Sequence, residues 1–385
     1  MEAEHPSPVA KIILIGSAHP FRGGLAAFNE RLLSAWLNQG HQACIYTFTV
    51  QYPEWLFPGK SQYSNRPRPE LPIRQAIHSL NPINWFRHGL HIRRLKPDLL
   101  VFKFWLPYMG PCFGTLARLV RGNHATRVTA ILDNVIPHEH RVGDKLFTRY
   151  FLKACDCFVV MSAQVERDLS NLGFFQPILR LFHPPYDYGP APDQKTARKL
   201  LNLPDDGLYA LFFGFVRRYK GLDLLLEALA DARLRSLNIK LLVAGEFYEP
   251  VASYRHMVEE LNLVGNVIFH DWFIEDEHVP LYLSACDLVV LPYREATQSG
   301  IAHLAFHYGK PVLATAVGGL PEVIIPYRNG LLADPHPTAL AEALYKLADR
   351  ELLFRLSQGT SSPVEQLWDR FAASVVEGCL GKMKM

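Results

Sequence analysis

The chain has 385 residues, 49% of them hydrophobic and 20% charged, which is long enough for two cores. Its net charge of +3, from 40 Lys and Arg against 37 Asp and Glu with no block of five like charges, argues against nucleic acid as a partner. No secretory signal opens the sequence and no apolar run approaches the roughly 18 residues needed to span a bilayer, so the expectation is a cytoplasmic protein, soluble or peripheral at the inner face of the membrane.

Lys11–Gly16, Ala43–Val50, Asp98–Phe104, Val128–Asp133 and Cys157–Met161 are apolar runs of strand length. Between them, Leu25–Asn38, Phe113–Val120, Lys145–Ala154 and Gln164–Leu172 carry apolar residues at helical spacing. Continuous apolar strands alternating with amphipathic helices indicate a parallel sheet covered on both faces. The segment Asn84–Arg94 is aromatic and basic. Such a helix either lies on an anionic membrane or packs Trp85, Phe86 and Ile92 into the core, and the second outcome is the commoner. Trp55 and Trp105 extend the aromatic content nearby.

Clustered prolines from His183 to Pro192 end this first domain, since they continue neither a strand nor a helix. The alternation then resumes with strands at Leu208–Gly214, Ile239–Gly245, Val267–His270, Leu288–Leu291 and Pro311–Thr315, and with helices such as Leu222–Ala230 and Leu340–Leu347. The predicted fold is therefore α/β, with two doubly wound domains at 1–185 and 193–360 and a C-terminal helix at 361–385. The six cysteines lie mostly within apolar runs and are read as reduced core residues, with no metal site among them.

The candidate chemistry sits in the loops after strands. Gly214 leads into a loop with Arg217, Arg218 and Lys220 ahead of a helix, where the macrodipole disfavours cations, so an anion is expected there. A diphosphate suits the planar Arg fork, the mobile Lys charge and free helix amides. Ser299 and Gly300 open another helix, where a small residue and a glycine let amides approach phosphate, although Ser299 also suits an ordinary N-cap. Glu295 and Glu322 are acceptors for sugar or ribose hydroxyls, or else a solvated loop charge and a dipole-complementing first-turn carboxylate. In the first domain, Gly23 and Gly24 start a helix without the Gly-x-Gly-x-x-Gly spacing, which argues against a nicotinamide cofactor. Asp133, Asn134, His138, Glu139 and His140 follow another strand.

Taken together, Gly214–Gly221, Leu291–Gly300, Gly309–Val312 and Val317–Glu322 resemble the motifs of glycosyltransferase family 4, the glycosyl transferases group 1. The resemblance covers essentially the whole chain. It implies a GT-B fold of two facing Rossmann-like domains with a site between them, assembled by closure across the linker, and a C-terminal helix crossing back to the first, carrying Trp368 and Phe371 on its apolar side. It also implies retaining transfer of a hexosyl group from a nucleoside-diphosphate sugar, in polysaccharide biosynthesis or on a lipid-linked or small-molecule acceptor. Lys220 matches the donor-diphosphate lysine, Arg217 takes the arginine's role because Phe215 holds its usual place, and His138 stands in a Pro-His-Glu context similar to many members. The family's paired glutamates fall at Ala296 and Leu304; Ala-Thr-Gln-Ser-Gly stands instead, and its Thr297 and Gln298 join the donor contacts. No cofactor is implied beyond the sugar nucleotide, and no metal, because the sequence holds no Asp-x-Asp. An epimerase of the same fold and a noncatalytic partner subunit are the alternatives.

Overall fold

The computed structural model describes residues 9–53, 57, 59–136, 142–297, 299–360 and 364–381. The chain divides into two compact units, Pro185–Val364 and the remainder on either side of it, Met1–Pro184 with Glu365–Met385.

The first unit runs β1 (Lys11–Ile15), α1 (Gly24–Asn38), β2 (Gln42–Val50), β3 (Ile73–His78), α2 (Pro82–Leu95), β4 (Leu99–Phe104), α3 (Gly110–Arg121), β5 (Arg127–Leu132), α4 (Asp144–Leu152), β6 (Cys157–Val160), α5 (Ala163–Asn171) and β7 (Ile178–Arg180). Its seven strands lie in the order β3-β2-β1-β4-β5-β6-β7, each neighbour parallel. Ile13, Phe102 and Ala130 of the central strands pack with Phe113 and Leu116 of α3 and Phe151 of α4. Helix α2 starts where the Asn81 side chain accepts from the amides of Ile83 and Asn84, with Pro82 in its first turn. Trp85 is half-buried and Ile92 is in the core, but Phe86 is exposed, which corrects the expectation that all three pack inward.

The second unit runs α6 (Gln194–Leu200), β8 (Leu208–Phe213), α7 (Leu222–Leu229), β9 (Ile239–Ala244), α8 (Val251–Glu260), β10 (Val267–His270), α9 (Val279–Ala285), β11 (Leu288–Leu291), α10 (Gly300–His307), β12 (Val312–Thr315), α11 (Leu320–Val323), β13 (Gly330–Ala333), α12 (Pro337–Leu347) and α13 (Arg350–Gln358). The six strands are parallel in the order β10-β9-β8-β11-β12-β13. Along β8, Leu208, Ala210 and Phe212 enter one apolar layer with Leu225 and Leu344, while Tyr209, Leu211 and Phe213 enter the opposite layer with Leu283 and Leu304. Burial on both faces is what makes the strand apolar at every position.

The last helix, α14 (Val364–Leu380), packs in the first unit against α1. The Trp36 indole donates to the Ala372 carbonyl at 3.1 Å, and the Phe28 and Trp368 rings meet edge to face at 5.2 Å. The Cys379 thiol donates to Cys157 Sγ at 3.2 Å. Among the described residues, no helix is long and apolar enough to cross a membrane.

Candidate functional site

In a sheet ordered β10-β9-β8-β11-β12-β13, β8 is where the winding reverses: β9 lies on one side and β11 on the other. Loops leaving the carboxyl ends of such a strand pair diverge and open a crevice. The loop after β8 is Gly214–Lys220, and the loop after β11 is Pro292–Ser299.

Gly214 has φ 91°, and a Cβ placed on it would come within 3.3 Å of Lys220 Nζ. Backbone bonds from Val216 N to the Glu246 carbonyl and from Tyr248 N to the Val216 carbonyl tie this loop to the one after β9. Phe215 packs on Tyr248 at 4.8 Å and on Phe273, and the Arg217 guanidinium lies 4.6 Å from the Tyr248 ring centre. A single 3-10 turn, Arg218–Lys220, leads to Gly221 at φ 67°, the residue before α7. Gly221 must be glycine, since a Cβ there would fall 2.0 Å from the Pro292 carbonyl oxygen.

The three cations of this loop do not share one environment. Arg218 is exposed, Arg217 half-buried and Lys220 buried. Burial, reinforced by repulsion from Arg217, brings the Lys220 pKa down to about 7. Its ammonium lies 5.8 Å from the centre of the Tyr293 ring.

The two loops are clamped together. Arg294 makes a two-pronged pair with Asp223 of α7 at 2.7 and 2.6 Å, donates to the Arg218 carbonyl at 3.1 Å, and its own amide donates to the Tyr219 carbonyl at 2.7 Å. Gly318 closes a third loop onto the second: with φ 54°, a Cβ there would overlap the Ala296 carbonyl oxygen at 1.4 Å. The Gly319 amide donates to that same carbonyl, and Glu322 follows, exposed, on α11.

Helix α10 begins at Gly300, with Ser299 at the N-cap position. Ser299 is not the side-chain cap that its position suggests: its hydroxyl accepts no amide of α10 and is buried beside the Tyr293 phenol, without a well-formed bond among the described residues. Ser299 thus leaves the first-turn amides without its side-chain cap, an arrangement that an anion can exploit. Thr297 is half-buried and Glu295 exposed; Gln298 lies outside the described residues. Ala296 and Leu304 are both buried in the apolar layer beneath.

In the first unit, Gly23, at φ 94°, precedes α1 and Gly24 is its first residue. Asp133 accepts from Lys103 Nζ at 2.6 Å, and that buried ammonium also lies 3.7 Å from the centre of the Phe28 ring. His138, Glu139, His140 and Trp55 lie outside the described residues.

Residues that sequence reading passed over are Tyr293, Arg294, Asp223 and Glu246. The last follows β9 as Gly245-Glu246 and is buried at a strand end, the position of its counterparts after β8 and β11.

Residues 193–360 match the family model described as glycosyl transferases group 1. The D-inositol 3-phosphate glycosyltransferase of Streptomyces bingchenggensis is 31% identical over 235 residues, 57% of this chain and 51% of that protein. The enzyme of the same name from Corynebacterium glutamicum is 34% identical over 170 residues, 42% of this chain and 40% of that one. The chain thus matches about half the length of these relatives or less. Among solved structures, sucrose-phosphate synthase from Thermosynechococcus elongatus superposes with a TM-score of 0.72 at 21% identity, covering 97% of this chain and 98% of that one. Anabaena HepE in complex with UDP gives 0.73 at 17% identity, covering 97% and 99%. The two parallel-sheet domains are those of the GT-B fold, and residues 193–360 belong to the glycosyl transferases group 1.

Proposed function

We propose that the chain is a retaining glycosyltransferase that moves a hexosyl group from a nucleoside-diphosphate sugar to a hydroxyl of a glycan, lipid-linked or small-molecule acceptor. The observation that carries this reading is Lys220: a buried lysine brought to a pKa of about 7 beside Gly214, at the winding reversal, is a site suited to negative charge. Relatives bearing glycosyltransferase names and a structural neighbour holding UDP support the same chemistry.

In this mechanism the bond from the anomeric carbon to the diphosphate oxygen breaks as the bond to the acceptor oxygen forms on the same face. The acceptor proton passes to a leaving phosphate oxygen, so no enzymatic nucleophile is required. Charge accumulates on the diphosphate in the transition state, and groups fixed in advance toward that charge lower the barrier. Lys220 and Arg217 supply the cations, and the first-turn amides of α10, beginning at Gly300, supply donors. Gly214 leaves room beside Lys220, while Thr297 and Gln298, from the segment after β11, contribute donor contacts. Glu295 and Glu322, exposed on neighbouring loops, accept from sugar or ribose hydroxyls. In the first unit, Gly23 and Gly24 let a ligand approach the start of α1, and His138 takes a catalytic contact with the transferred sugar. A lipid-linked acceptor brings the enzyme to the cytoplasmic face of a membrane.

A second reading, a noncatalytic subunit, is favoured by one observation: both positions of the paired glutamates are apolar and buried. Nucleoside diphosphate release from UDP-, GDP- and ADP-sugars, with and without a lipid-linked glycan extract, separates the two. The transferase reading expects extract-stimulated release from one donor, reduced at least about 100-fold by Lys220→Ala. No release from any donor, with no shift in melting temperature on adding nucleotide, sinks it.

A further inference from the structure

Helices α2, α3 and α4 cover one side of the first sheet, packed side by side. Gly89 of α2 meets Leu119 of α3, Gly114 of α3 meets the Tyr150 ring of α4, and Gly110 meets the Phe147 backbone. Their charge is lopsided. Helix α2 carries three arginines, α3 carries two, and α4 carries Lys145 and Arg149, against the single carboxylate of Asp144. These three helices hold a net six positive charges in a chain whose total is +3. Arg93, Arg118 and Arg149 donate to backbone carbonyls, which fixes their position without cancelling their charge; Arg121 is paired with Asp156.

The outward stripe of α2 is apolar as well as basic. Ile83, Phe86 and Leu90 are 80%, 53% and 40% exposed, and Arg87 and Arg94 are exposed beside them. At about 100° per residue, these five fall within about 100° of the helix circumference, opposite Trp85, Gly89 and Ile92, which face the protein. Leu146 of α4, 68% exposed, adds a second bulky apolar group to the layer. An aqueous surface gains nothing from Ile83 and Phe86, and a duplex nucleic acid uses the cations but leaves those side chains hydrated. A lipid interface takes both: the apolar groups enter the headgroup boundary while the arginines meet anionic headgroups.

We infer that the α2–α3–α4 layer is a docking face for an anionic phospholipid surface, with Ile83 and Phe86 as the inserting groups and Arg87 and Arg94 as the electrostatic ones. The inference is independent of transferase activity, and its test uses none.

The full chain is pelleted with vesicles of phosphatidylcholine alone and of phosphatidylcholine mixed with phosphatidylglycerol. Recovery with the mixed vesicles is expected to exceed that with phosphatidylcholine, to fall as salt is raised, and to weaken at least about ten-fold in Arg87→Glu/Arg94→Glu and in Ile83→Asp/Phe86→Asp. Leu146→Asp, on a different helix, gives a smaller loss and serves if an α2 variant fails to fold. Equal recovery with both vesicle types, or none, overturns the inference. So does binding to mixed vesicles that is unchanged by Ile83→Asp/Phe86→Asp and displaced by duplex DNA, which identifies the face as a general polyanion surface.

Discussion

The Lys220 ammonium and the Tyr293 ring, 5.8 Å apart and both buried, join the loops that follow β8 and β11. Because burial and Arg217 hold Lys220 near 7 rather than the ordinary 10.5, its protonation is linked to whatever binds against it. An arriving diphosphate raises the value, so binding takes up a proton above about pH 7, and affinity falls as pH climbs through the raised value. Titration calorimetry in buffers of different ionisation enthalpy should report that uptake for wild type and none for Lys220→Met. In the unliganded protein the sign is opposite: the unfolded chain holds the proton up to 10.5, so stability rises with pH from about 7 toward that value. A nucleotide affinity that is flat with pH would falsify the linkage.

The Arg294–Asp223 pair acts on the same loop from outside. Both side chains are about one-third exposed, so solvent screens the pair and its worth to folding is about 1 kcal/mol. Its larger effect is expected on geometry, because Arg294 also holds the Arg218 carbonyl. Arg294→Ala should raise the donor KM roughly five- to ten-fold through a misplaced Lys220, with a loss of only about 1 kcal/mol in urea denaturation. An unchanged KM would show that the loop holds its shape without the pair.

Restoring the family's glutamates should harm the protein. Leu304 lies buried in the apolar layer with Leu211, Leu283 and Ala302, where a carboxylate would lose its hydration. Leu304→Glu is expected to cost about 3 kcal/mol or more and to lower Tm, with no gain in turnover. A variant of wild-type Tm and higher turnover would mean that α10 can turn this position toward the site.

Acid should unfold the first unit through His183. Burial, then the nearby Lys103 charge, lowers its pKa to about 4, and its Nδ1 lies 2.7 Å from the Pro184 carbonyl. The unfolded chain binds the proton at 6.5 and the folded one only near 4. Stability is therefore complete above pH 6.5 and declines as pH falls toward 4, by about 3 kcal/mol in all. Urea midpoints across that range should flatten in His183→Gln; the same slope in the variant would assign the acid sensitivity to other groups.

Much of this architecture is legible in the sequence, because strands buried on both faces are apolar throughout, as in Leu99–Phe104 and Leu208–Phe213. The strands that escape are edge or short ones. β3 exposes Arg74 and Gln75, β7 has three residues, and β13 opens with a glycine. Each sacrifices the apolar run that makes a strand recognisable. At the site, glycines and a lysine at strand ends marked Gly214, Lys220 and Gly300. Tyr293 carries no such mark in the sequence, and Asp223 becomes meaningful only when folding brings it to Arg294, seventy-one residues along the chain. The direction of Phe86 was hidden for a related reason. Which stripe of an amphipathic helix docks depends on the neighbour, and α3 presents Leu119 to Gly89.

The stretch that closes the first unit is made after the whole of the second. Trp36 waits for the Ala372 carbonyl, and Phe28 waits for Trp368 and Phe371, until the whole second unit, Pro185–Val364, has been synthesised. During translation the second unit can fold as an uninterrupted piece, whereas the first emerges early with α1 still uncovered. A nascent chain stalled before α14 would therefore display an apolar face that the finished protein never shows, and chaperone capture should peak in that interval. For the same reason, cutting the gene at the boundary near Pro184 would yield one self-sufficient fragment and one lacking its last helix.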